Sequence, residues 1–169
     1  MTPVRRGILL GLGLALAVAG MALGGSAFSS IQDSFVVLFP TPPSVESRTV
    51  AVGDWSNANL RMYRVDEART AWLVSATDVA GLTVDVKRTL AGAREGLVTK
   101  SGGKVVSERA VRIGQYEGLA LRLERPDRSV IRARLCVTPR RIYEVIVMTT
   151  EESMRLSQIQ RFLDSFLPE

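Results

Sequence analysis

One stretch constrains the fold more than any other: residues 119–148, LALRLERPDRSVIRARLCVTPRRIYEVIVM. Leu119, Leu121 and Leu123 alternate with Ala120, Arg122 and Glu124. Ile131, Ala133, Leu135 and Val137 alternate with Arg132, Arg134 and Cys136, and Tyr143, Val145 and Val147 with Glu144, Ile146 and Met148. A period of two with β-branched enrichment predicts strands. Pro126-Asp127-Arg128 and Thr138-Pro139-Arg140-Arg141 are turn chemistry, because proline presets φ and lacks a donor. The stretch therefore reads as a three-stranded antiparallel meander.

Requiring the apolar residues to share a face sets a register. It places Leu123 opposite Ile131, Leu121 opposite Ala133 and Leu119 opposite Leu135. In the second hairpin it places Val137 opposite Tyr143, Leu135 opposite Val145 and Ala133 opposite Val147. The other face then carries Arg122 opposite Arg132, Arg134 opposite Ile146 and Cys136 opposite Glu144. Like charges directly opposite repel, so Arg122 and Arg132 need a carboxylate, an anion or water between them. Glu124 and Glu144 are the nearest carboxylates in this arrangement, and the second is predicted to raise the Cys136 pKa.

The 169 residues contain no histidine and one cysteine, Cys136. That removes Ser-His and Cys-His nucleophile pairs, the commonest general base and most zinc sites, and it rules out an intrachain disulfide. Setting Arg5 and Arg6 aside leaves 20 basic and 17 acidic side chains, a net of +3 that is too mild and dispersed to indicate nucleic acid. No calcium loop, phosphate loop or nucleophile elbow is present, and no cofactor or metal is predicted.

Residues 1–27 have the layout of a secretory signal: Arg5-Arg6, an uncharged apolar run, then Gly25-Ser26-Ala27, with cleavage predicted after Ala27. The alternative is an uncleaved anchor, because 7–28 is just long enough to span a bilayer. Residues 28–33 read as a short linker, and 34–169 as a single domain.

Within that domain, strands are predicted at 34–40, 46–52, 59–65 and 71–76, with a loop at 53–57. Leu82, Val86, Leu90, Ala93 and Leu97 mark one face of a helix, capped by Thr83 and ended by Gly96 or Gly102-Gly103. A strand follows at 104–113, then a turn at 114–118. Thr149 and Glu152 form a capping-box pattern before a helix that buries Leu156, Ile159, Phe162, Leu163 and Phe166 and closes at Pro168. The class is α+β: an antiparallel sheet of about six to seven strands packed by an internal and a C-terminal helix.

Four segments carry a resemblance: FVVLFPTPP, LAGAREGLVTKSGGKVVSERAVRIGQYEGLALRLERP, IYEVIV and FLDSFLP. Over residues 35–168 the chain resembles the PsbP-like superfamily and a group of exported bacterial proteins of unassigned function. The resemblance implies an antiparallel sheet between helices and a non-catalytic exported module that binds a protein partner or assists an assembly. The exported group often carries Pro-Gly where this chain has Glu117-Gly118.

Two candidate contact features remain. Arg122, Arg132 and Arg134 project from one sheet face and suit an anion, an acidic peptide or a lipid headgroup; a solvated face paired to Glu124 and Glu144 is the plainer reading. Trp55, in a Gly-Asp-Trp-Ser-Asn loop, suits a partner anchor. Cys136 reads as a small buried hydrophobe.

Overall fold

The computed structural model describes residues 25–52 and 55–169. Nearly all of the expected signal or anchor, and residues Gly53 and Asp54, lie outside the described residues. Ten strands and two helices are described: β1 (Ser26–Ser30), β2 (Phe35–Phe39), β3 (Ser44–Val52), β4 (Trp55–Glu67), β5 (Thr70–Asp78), α1 (Val86–Ser101), β6 (Lys104–Ile113), β7 (Tyr116–Glu124), β8 (Val130–Val137), β9 (Arg141–Thr149), α2 (Glu152–Ser165) and β10 (Leu167–Pro168). Seven strands form one antiparallel sheet in the order β3-β4-β5-β9-β8-β7-β6. β1, β2 and β10 form a second, three-stranded sheet. The α+β class and the seven-stranded sheet agree with the expectation; the second sheet was not anticipated.

The large sheet is the middle of three layers. α1 packs over β7 and β8 on one face. α2 and the small sheet cover the other, where Phe35, Phe39, Tyr63, Trp72, Tyr143, Phe162 and Phe166 build an aromatic core. Its rings meet edge-on or tilted, with Phe35 and Tyr63 at 5.0 Å and Trp72 and Phe162 at 5.3 Å, the geometry that the aromatic quadrupole favours.

The first predicted hairpin register is observed: Leu123 opposes Ile131, Leu121 opposes Ala133 and Arg122 opposes Arg132. The second is shifted by one residue. Val137 opposes Ile142, Cys136 opposes Tyr143 and Arg134 opposes Val145. A four-residue turn, closed by the Thr138 amide on the Arg141 carbonyl at 2.8 Å, replaces the longer expected loop. One step of slip sends every β9 side chain to the opposite face. Tyr143, Val145 and Val147 enter the aromatic core, and Ile142, Ile146 and Met148 turn towards α1. Both faces are buried, so apolar residues on either side of β9 find a core, and alternation alone does not choose between them.

Residues 28–33, expected as a linker, complete β1 and the turn to β2. Ala27 pairs with Leu38 and Phe28 with Val37, and the Phe28 ring sits 5.4 Å from Tyr63. The chain is held here because its side chains add to the aromatic core.

Helix α1 begins later than predicted. Asp85, not Thr83, is its N-cap and accepts from the Arg88 amide at 3.0 Å. The helix runs through Gly96 and stops at Gly102, whose φ of 63° places it in the left-handed region and turns its N–H onto the Val98 carbonyl. The expected capping box of α2 does not form. Thr149 Oγ1 accepts from the Glu151 amide instead, Glu151 caps without its side chain, and Glu152 is engaged elsewhere. α2 buries Ile159, Phe162 and Leu163, with Phe166 just beyond its end, while Leu156 is exposed.

Candidate functional site

The predicted arginine face is ion-paired and partly covered by α2. Arg122 donates to both Glu152 oxygens at 2.8 and 2.6 Å and to Glu124 at 2.7 Å. Arg132 donates to Glu152 at 2.6 Å, and Arg134 pairs with Asp164. Both new carboxylates come from α2. Glu152 resolves the Arg122/Arg132 repulsion that the register imposes, in place of the expected Glu144. The Arg122 and Arg132 hydrogen bonds hold the Glu152 carboxyl down to about 2, against burial. The depression beside the arginines has a volume of only about 70 Å³, well under the usual few hundred for a ligand site. Arg122, Arg132 and Arg134 thus clamp α2 to the sheet.

Trp55 is not in a loop. It opens β4 opposite Val52, and its side chain falls outside the described residues. Cys136 is fully buried, and desolvation pushes its thiol up to about 12. Its cross-strand neighbour is Tyr143, so the expected influence of Glu144 is absent.

A second polar cluster went unforeseen. Asp33, 1% exposed, sits in the turn between β1 and β2. It accepts from Arg61 at 2.6 and 2.5 Å, from Tyr63 at 2.5 Å and from Arg141 at 3.2 Å. Burial alone pushes its pKa up, but the Arg61 and Tyr63 hydrogen bonds and the charges of Arg61 and Arg141 outweigh this and hold it low. Tyr143 donates to the Asp33 carbonyl at 2.5 Å and Arg141 to the Gln32 carbonyl at 2.7 Å. These bonds run between the β1–β2 turn and strands β4 and β9, so the cluster fastens the small sheet to the large one.

The feature open to a ligand lies on the other face. α1 covers β7 and β8 and leaves the β3–β4–β5–β9 half of the sheet without a helix over that side. Between them is a cleft of about 770 Å³, within the range of small-molecule sites. Its sheet wall is apolar, with Val50, Val52, Leu60, Val79 and Ile142, and the 79–85 segment adds Leu82 and Val84. Its helix wall carries Gly92 and Gly96, one turn apart. A Cβ at either glycine would meet no atom within 4 Å, so their bareness leaves space over the sheet.

Glu144 is the ionisable group of the cleft's sheet wall. It projects from β9 and accepts one hydrogen bond, from Ser75 on β5, at 3.1 Å. Burial pushes its pKa up; the Ser75 bond and the charge of Lys100, on the helix wall, oppose this. Asp85, the other acid lining the cleft, is committed to capping α1. Two signals for the cleft stood in the sequence: two glycines four apart inside a helix, and a carboxylate in the apolar run IYEVIV.

No family model matches the chain, and no curated protein sequence matches it. Among solved structures, it is similar to the solution structure of cyanobacterial PsbP (CyanoP) from Synechocystis sp. PCC 6803, at 13% identity and a TM-score of 0.61 over 96% of this chain and 98% of that one. The antiparallel sheet between helices, anticipated from the four sequence segments, is thus a PsbP-like fold.

Proposed function

We propose that this chain is a non-catalytic extracytoplasmic module that works by binding a partner or assisting an assembly, with the α1 cleft as its binding place. The observation that carries the reading is the cleft: roomy, apolar-walled, and furnished with Glu144 but, among the described residues, no second acid free to work with it. A two-carboxylate acid–base mechanism needs convergent groups of separated pKa, and Asp85 is occupied as a helix cap. The PsbP-like fold and the signal-like 1–27 segment support export.

The test is a photo-crosslinking residue placed at Thr89, on the cleft wall, in the full chain expressed in its host, with Glu95 as an exposed control position. Envelope fractions should yield a specific adduct from position 89 that disappears when Gly96→Leu fills the cleft. Equal capture from both positions, or capture indifferent to Gly96→Leu, contradicts the reading. N-terminal sequencing of the same protein tests export: a start at Phe28 marks a released domain, and an intact Met1 or Thr2 an anchored one.

A further inference from the structure

The polar end of the cleft is specific in its chemistry. Glu144 presents an acceptor from the sheet, and Lys100 presents a donor from the last turn of α1. The two attract across the cleft, yet among the described residues they form no ion pair, so space remains between them. One Glu144 oxygen is taken by Ser75. No buried side-chain oxygen or nitrogen among the described residues lacks a partner, so the remaining carboxylate oxygen is open to the cleft. Beyond this end the walls are aliphatic, from Leu60 and Ile142 to Val79 and Leu82.

We propose that the cleft binds a small neutral amphiphile: an aliphatic body along the sheet wall, and a hydroxyl or amide head that donates to Glu144 and accepts from Lys100. A cationic head gains Glu144 but meets Lys100 and Arg88, and an anionic head gains those cations but meets Glu144, so a full charge of either sign also faces a like charge on the lining. A neutral group that both donates and accepts satisfies both. Gly92 and Gly96 provide the room that the aliphatic body occupies. This inference rests on the cleft being the working site.

The test uses the isotope-labelled full chain with three eight-carbon probes at equal concentration: 1-octanol, octylammonium and octanoate. 1-Octanol should shift the backbone amides of Thr77, Val79, Gly92 and Glu144 saturably. The two charged probes should bind at least threefold more weakly. Gly96→Leu should weaken 1-octanol at least tenfold with the fold intact, as read by its melting temperature. Glu144→Gln, which removes the carboxylate charge, should raise octanoate binding relative to 1-octanol. Equal binding of all three probes would mean an undiscriminating groove and overturn the proposal, as would shifts mapping away from the cleft or unmoved by Gly96→Leu. An adduct at Thr89 with no 1-octanol binding defeats this ligand class and leaves the binding-module reading standing. Loss of both defeats both.

Discussion

Asp33 and Arg141 are 108 residues apart in the chain and 3.2 Å apart in the fold. Their contact, with Arg61 on the same carboxylate, ties the first turn after β1 to the start of β9. The small sheet is thereby locked over the aromatic core that α2 also covers.

Replacing Asp33 by Asn keeps the shape and removes the charge that Arg61 and Arg141 face. Arg61 and Arg141 are 12% and 9% exposed in their side chains. Breaking a buried pair from one side costs about 3–5 kcal/mol. Urea unfolding of Asp33→Asn should show a loss of this order in full-chain stability. A loss under about 1 kcal/mol, the range of exposed pairs, would show that the cluster is not what fastens the two sheets.

Acid sensitivity follows from two depressed carboxyls. Glu152 lies at about 2 in the folded chain against an ordinary 4.5, and Asp33 is also held low. Stability from such groups is present above their unfolded pKa and drains as pH falls through the folded one. Unfolding free energy should therefore decline from about pH 4.5 towards pH 2. Glu152→Gln should flatten part of that decline and also loosen α2 from Arg122 and Arg132. A wild-type curve that stays level over this window would refute the clamp.

Glu144 has the opposite sign. Its pKa is raised by burial, so ionisation opposes folding: its protonated form favours the folded state below the unfolded pKa, and that advantage disappears as pH rises through the folded value. Glu144→Gln should melt higher than wild type at neutral pH and approach it in acid. A lower melting temperature at neutral pH would mean that the carboxylate is a structural partner.

Two kinds of glycine should respond in opposite directions. A Cβ at Gly118 would lie 2.5 Å from the Leu135 carbonyl oxygen, so Gly118→Ala must push β7 from β8, at about 1–3 kcal/mol for overpacking. Gly96 has open space and sits inside a helix, where Gly→Ala gains about 1 kcal/mol. Thermal melts of the two alanine variants should move apart; movement in the same direction would contradict the assigned packing.

Cys136 is wholly buried, with a thiol near 12. A disulfide reagent should modify it no faster than the chain unfolds. Rapid labelling of the native protein would show that the aromatic core opens locally.

The sequence exposed the seven-stranded sheet because Leu119, Leu121 and Leu123 can face Ile131, Ala133 and Leu135 in one way only. It misled at β9, since Tyr143 and Ile142 each find a core on its own side. Asp33 was hidden because its partners, Arg61, Tyr63 and Arg141, lie far along the chain, and a short polar segment after an apolar run reads as a linker. The arginine trio and Glu124 were visible, but Glu152 and Asp164 were not, because they arrive on a helix whose approach to the sheet no local pattern specifies. The cleft arises where α1 stops short of β3, β4 and β5, a separation between distant elements that left only Gly92, Gly96 and Glu144 as traces.

Native mass spectrometry of the full chain, isolated from its host alongside Gly96→Leu, tests the central claim most directly. If the α1 cleft is the working site, the wild-type chain carries a non-covalent adduct that the filled variant lacks, although both are folded. Identical spectra from the two proteins would contradict it.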